Sequence, residues 1–263
     1  MCRVRRAATV AWGPSLEDGP MLMSTLDGVE TFPAYPELAG KRVLLTGLSR
    51  LHGVDIARAF AEHRTRLVLQ VTDDCAETQA VAEIAAQTAL DMRVFTGPLL
   101  GSEAAVRFAR TAIKSFDGLD VVINIADLSL PATGAFANEA EVDRAVSAAL
   151  TPAYMISRIA ANRMRTTWTE GTILNILPEP KLKTRAARGL AAVGRSTLTA
   201  ITRAEAEKWA PDRISINAVA PATLSAGLGS TLSCEPDIAS LALQLASRRG
   251  RELSGMIYEA SAG

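Results

Sequence analysis

Cysteine and histidine are scarce in this chain: Cys2, Cys75 and Cys234 are its three cysteines and His52 and His63 its two histidines, in 263 residues. An odd number of thiols with no paired spacing excludes a disulfide framework and suggests a reducing, cytoplasmic setting. Neither histidine has a cysteine or an acidic pair at ligand spacing, so no metal cluster is expected. A Ser-His-Asp type triad is equally unsupported, because no serine in a strained elbow accompanies His52. Net charge is also missing: 28 Lys and Arg balance 28 Asp and Glu, which disfavours nucleic acid and anionic membranes as partners. No apolar run is long enough for a signal peptide or a membrane span, since the basic opening MCRVRRAATVAW is broken by Trp12-Gly13-Pro14. Residues 1–38 therefore read as a poorly ordered N-terminal tail, with Met21 and Met23 as alternative starts to Met1.

What is abundant is apolar residues, 48% of the chain, enough for one sizeable core in a single domain over 39–263. From Lys41 onward short apolar runs alternate with longer amphipathic stretches, the pattern of repeated βα units. Strands are predicted at 42–46, 66–71, 92–95, 120–124, 172–176, 214–217 and 256–259, and helices at 53–62, 76–90, 103–115, 139–164, 184–209 and 236–247. Runs such as RVLLT, LDVVIN and GTILNI are apolar almost throughout, as expected of parallel strands covered by helices on both faces. Pro152 removes a donor inside the fourth helical stretch and frees the carbonyl of residue 148, so two helices or one kinked helix are expected there.

The first strand runs straight into TGLSRLHGVDIARAF. A glycine turn opening a helix suits anion binding, because backbone N–H groups and the positive helix end face the ligand. Gly47 and Gly53 fit that use, Ser49 offers a hydroxyl and Arg50 a phosphate partner. A tight βα turn that only packs the helix on the sheet explains both glycines equally well. Three further stretches, GLDVVINIAD, EGTILNI and ITRAEAEKWAPDRISINAVAPAT, follow in order and spacing. With the closing EPDIASLALQLAS and GMIYEASAG, they make the chain from Leu38 to the C-terminus resemble a short-chain dehydrogenase/reductase of the single-domain type. The resemblance implies an α/β fold, Rossmann-like and doubly wound, with a seven-stranded parallel sheet and helices on both faces, in a family of NAD(P)-dependent oxidoreductases.

Against that pattern the chain departs at the chemistry. Leu51 stands at the middle glycine of the loop, Val71 and Thr72 where an acidic residue would hold the ribose of NAD, and Pro98 at the adenine-contacting aspartate. The family's N-N-A-G stretch is Asn124, Ile125, Ala126 and Asp127. Arg50 sits where NADP-preferring relatives keep a basic residue, so the implied cofactor is none, or NADP(H) bound weakly, with Gly47, Ser49, Arg50, Gly53 and Asn124 as its contacts. The resemblance places the family's asparagine, serine, tyrosine and lysine at Ala149, Pro178, Ala191 and Arg195. Proton transfer by that set needs an ionisable hydroxyl poised by a cation, and no hydroxyl remains. Dehalogenase relatives place arginine at the lysine position but keep the serine and tyrosine, so that reading also fails here. Arg195 is expected to pair with Asp127 or a neighbouring carboxylate. Tyr154, with Arg158 four residues on, reads as a core aromatic and only remotely as a relocated dyad, and Lys181 and Lys183 as loop lysines bordering a pocket. The stretch from Pro221 to Pro236 is short for a substrate lid. The expected function is that of a non-catalytic homo-oligomer, or of a hetero-oligomer partner of an active paralogue. The alternatives are an NADP-dependent oxidoreductase with a rearranged site and, below both, a small-molecule sensor.

Overall fold

A computed structural model describes residues 34–180, 184–222, 232 and 235–260. Seven strands form one sheet: β1 (Arg42–Leu48), β2 (Arg66–Val71), β3 (Asp91–Thr96), β4 (Val121–Ile125), β5 (Gly171–Ile176), β6 (Ile214–Pro221) and β7 (Ile257–Ala260). Their order is β3-β2-β1-β4-β5-β6-β7, every neighbouring pair parallel. Six helices connect them: α1 (Val54–Glu62), α2 (Ala76–Thr88), α3 (Gly101–Ser115), α4 (Glu139–Thr166), α5 (Arg185–Trp209) and α6 (Glu235–Ala246). The fold is therefore the expected Rossmann-like, doubly wound one, and every predicted strand and helix is present with ends shifted by a few residues.

Side chains alternate across the pleat and so divide the core in two. Val43, Leu45, Leu67, Leu69 and Ile123 point to the side covered by Ile56 and Phe60 of α1 and Ala242 and Leu245 of α6. Leu44, Val68, Val122 and Ile173 point to the other, under Ala109 of α3, Ile156 and Met164 of α4 and Trp209 of α5. A third apolar cluster sits at the ends of β4 and β5, where Leu128, Leu150, Leu177, Leu190 and Leu198 meet.

Two expectations change. α4 runs as one helix through Pro152. Val146 and Leu150 before the proline and Ala153 and Ile156 after it share one buried face, so packing outweighs the lost backbone bond and the two-helix alternative does not hold. The domain also begins earlier than residue 39: Pro36–Leu38 form a 3-10 turn, Leu38 is fully buried and Tyr35 packs on the core. Residues 1–33, with the tail and its alternative starts, lie outside the described residues, as do Lys181, Lys183, Cys2, Cys234 and most of the lid stretch. Among the described residues no group of His, Cys, Asp and Glu is arranged to hold a metal, and no helix is long and apolar enough to cross a membrane. His63 is a packed residue, its Nδ1 lying 2.7 Å from the Ala59 carbonyl oxygen and its ring against Tyr35.

Candidate functional site

The direction of winding reverses between β1 and β4, and the crevice outside the C-terminal ends of those two strands is where a doubly wound sheet binds ligands. Both loop glycines lie there, and neighbouring atoms of the protein demand each of them. Gly47 has φ +77° and faces the Ile125 carbonyl at the end of β4 so closely that no Cβ fits between them. Gly53 caps α1 at φ +95°, and a Cβ on it would lie 2.9 Å from Ile125 Cδ1. Left-handed backbone of this kind favours glycine whatever stands outside the loop.

The donors of the turn are directed inward. Gly47 N–H donates to Gln70 Oε1 at 2.7 Å, and the Gln70 amide continues to the Gly97 carbonyl at 2.7 Å. Ser49 N–H donates to the His52 carbonyl, while Ser49 Oγ accepts the N–H groups of Leu51 at 3.3 Å and His52 at 3.2 Å. The serine hydroxyl thus folds the loop on itself, and Leu51 is carried outward, 39% exposed. At the start of α1 the N–H of Asp55 donates to Glu235 Oε1 at 3.1 Å. Burial holds the Glu235 carboxyl above its ordinary range, and the N–H groups of Asp55, Gly53 and Val54 only partly offset that.

Arg50 is exposed. Glu77, at the start of α2, has its carboxyl lowered first by its own backbone N–H, then by the Cys75 thiol, and last by the Arg50 charge. At the end of β2, Val71 is buried and Thr72 bonds back to the Leu48 carbonyl. Pro98 is exposed beyond β3. Asn124 stands apart from these residues: it has no solvent exposure, its Oδ1 accepts Thr46 Oγ1 at 2.9 Å, and its Nδ2 donates to Asn175 at 2.9 Å and Ser157 at 3.0 Å. Its amide ties β1, β4, β5 and α4 together from inside.

Of the four positions that the family resemblance assigns to the chemistry, one borders the third apolar cluster. Ala149 packs on its edge, Ala191 is buried, and Pro178 follows the fully buried Leu177. Leu128 and Leu177 press so closely on α5 that a Cβ on Gly194 would lie about 3.0 Å from both. Arg195, one turn beyond Ala191, donates to the Pro221 carbonyl and to Glu259 Oε1, each at 2.6 Å. Its partner is thus a carboxylate on β7, whereas Asp127 is exposed. Tyr154 is half-buried and belongs to none of the core clusters; its hydroxyl lies 3.4 Å from Arg158, whose guanidinium sits 5.5 Å from the ring centre. The expected core aromatic is instead a helix-surface pair. Tyr258 has its phenol raised by burial, away from the ionisation a base requires. Gln70, Glu235 and Glu259 were invisible to sequence reasoning, because no local pattern marks a residue that reaches across the fold.

The family model described as enoyl-(acyl carrier protein) reductase matches residues 52–253. An uncharacterized oxidoreductase of Mycobacterium tuberculosis is 26% identical over 247 residues, 86% of this chain and 92% of its own. Glucose 1-dehydrogenase 2 of Bacillus subtilis is 23% identical over 194 residues, 73% of this chain and 74% of its own. Among solved structures, an NADH-dependent reductase complexed with NAD shares the fold at a TM-score of 0.71 and 21% identity, over 86% of this chain and 97% of that one. The strand order and the matched span agree, and the chain belongs to the short-chain dehydrogenase/reductase family.

Proposed function

We propose that this member of an oxidoreductase family has no standard carbonyl or alcohol oxidoreductase activity and works by association in the cytoplasm, as a homo-oligomer or as the silent partner of an active paralogue. One observation carries the reading: Arg195, which the family resemblance puts at the lysine position, is held by Glu259 and the Pro221 carbonyl, while the residues it puts at the acid/base, carbonyl-anchoring and relay positions are Ala191, Pro178 and Ala149. A guanidinium engaged by a carboxylate and a carbonyl is committed to those partners, and Ala191, one turn before it, offers no hydroxyl to be poised. The outer face of α5 supports association, since the small or apolar Gly189, Ala192, Val193 and Ser196 are exposed there beside Arg188. Light scattering on the purified chain should give a mass at least twice 27.8 kDa, and NADPH with a panel of ketones and aldehydes should show no turnover. A strict monomer that binds no intact paralogue, or measurable turnover, overturns the proposal.

The Tyr154 and Arg158 contact favours one other reading, an NADP-dependent oxidoreductase with a rearranged site in which Arg50 meets the 2′-phosphate. Turnover that is abolished by Tyr154→Phe would support it. Turnover unaffected by that substitution would remove it.

A further inference from the structure

A dinucleotide bound to a doubly wound sheet rests its pyrophosphate on the glycine turn and on the first N–H groups of the following helix. In this chain a side chain of the protein already lies there. Glu235 opens α6, yet its carboxylate reaches a residue 180 positions earlier, at the start of α1. Asp55 N–H donates to it at 3.1 Å, and the N–H groups of Gly53 and Val54 act on the same carboxylate. Those three consecutive donors are the ones an incoming phosphate oxygen would use.

The contact is set by the packing of whole elements. Ala239, Ala242 and Leu243 of α6 share a core cluster with Ile56, Ala57 and Phe60 of α1, which holds the two helices side by side. Two further carboxylates nearby add negative charge. Asp55 adds a second carboxylate, itself bonded by Arg58 at 2.7 Å, and Asp237 follows in the first turn of α6. Burial raises the Glu235 pKa, and the N–H groups of Asp55, Gly53 and Val54 act in the opposite sense by favouring the ionised carboxylate.

We infer that Glu235 is an internal anion filling the phosphate cradle of α1, so that a nucleotide enters this site only by displacing it. The residues present therefore do not fit the family's cofactor as they stand, and the misfit is centred on a carboxylate outside the loop as well as on Leu51 within it. The inference does not depend on the chain being non-catalytic, and its test reads neither turnover nor oligomeric state.

The full chain and its Glu235→Gln and Glu235→Ala variants would be titrated with NADPH, followed by nicotinamide fluorescence, and with inorganic pyrophosphate, followed by calorimetry. Thermal melts would establish that each variant is folded. The wild type should bind both probes only near millimolar concentration, and removal of the carboxylate should tighten both by about tenfold or more. Should the alanine variant fail to fold, Glu235→Gln decides alone, because it keeps the size and an acceptor oxygen while removing the charge. Folded variants with wild-type affinity overturn the inference. So does tightening confined to NADPH with pyrophosphate unmoved, and so does low-micromolar NADPH binding by the wild type.

Discussion

A methyl group on Gly47 would strike the Ile125 carbonyl at the end of β4, and the same residue holds φ +77°, where any Cβ is strained. Steric overlap with backbone cannot be relieved by a rotamer change, and the left-handed conformation adds its own penalty. Gly47→Ala should therefore lower stability by about 3 kcal/mol in urea denaturation of the protein with no nucleotide added. A variant of unchanged stability that merely binds NADPH less well would show the glycine to be a ligand contact and nothing more. Gly53 is the milder case, since its nearest obstacle is the flexible Cδ1 of Ile125. Asn124 obeys the same logic from inside the core: its amide meets Thr46, Ser157 and Asn175, and buried polar groups of this kind are kept because an unmade bond there is expensive. Two readings were open for the glycines in the sequence, ligand contact or packing, and for Asn124 only the first. Only the distances to Ile125, Ser157 and Asn175 favour packing, and distances are not written in a motif.

Elements meet at the C-terminal end of the sheet through long-range side chains, and Arg195 is the best example. From α5 it grips the last carbonyl of β6 and Glu259 of β7, joining two strands at the open edge of the sheet. Arg195 and Glu259 side chains are 20% and 26% exposed, so the pair lies between a surface bridge and a buried one. Arg195→Glu and Glu259→Arg should each lower stability by about 1 kcal/mol, and the exchanged double variant should recover most of the loss in a double-mutant cycle. Additive losses would show that the two side chains do not act together. The elements themselves were legible, because the periodicity of RVLLT or GTILNI depends on local neighbours and on which face is buried. Pro152 left two outcomes open for the same reason: the local rule allowed two helices or one kinked helix, and the buried residues of α4 on both sides of it go with a single helix. The site was legible only as a register of emptied positions. The partners of Gly47, Arg195 and Asp55 lie 23, 64 and 180 residues away at Gln70, Glu259 and Glu235, separations that only the packed fold brings together.

Across the molecule the two ends of the sheet differ in chemistry. At the N-terminal end Glu170 takes Arg213 and Arg251, and Asp120 takes the backbone N–H of Arg42 at 2.8 Å together with its Nε at 2.9 Å and Nη2 at 2.8 Å. Burial alone would raise the Asp120 carboxyl, but these bonds outweigh it and hold it below the ordinary range. A carboxyl depressed in the folded state contributes stability that is fully present above its unfolded pKa, near 3.9, and is lost as pH falls through the lower folded value. Asp120→Asn should thus cost about 2 kcal/mol at pH 7, less than a fully buried pair, and its deficit should shrink as acid is added below about pH 4. Parallel pH profiles of variant and wild type in thermal melts would contradict that. Glu235 carries the opposite sign: its carboxyl is raised, the folded protein holds that proton more tightly, and its contribution declines as pH climbs through the raised value. At the C-terminal end, the demands that Ile125 makes on Gly47 and Gly53 reach beyond one molecule. Folding opposes substitution at both positions whether or not a nucleotide is ever bound, so a lineage that abandons its ligand goes on inheriting the glycines that announce it. A dinucleotide signature in a descendant of this fold is then a record of how β1 must pass β4, and says little about what the protein has in hand.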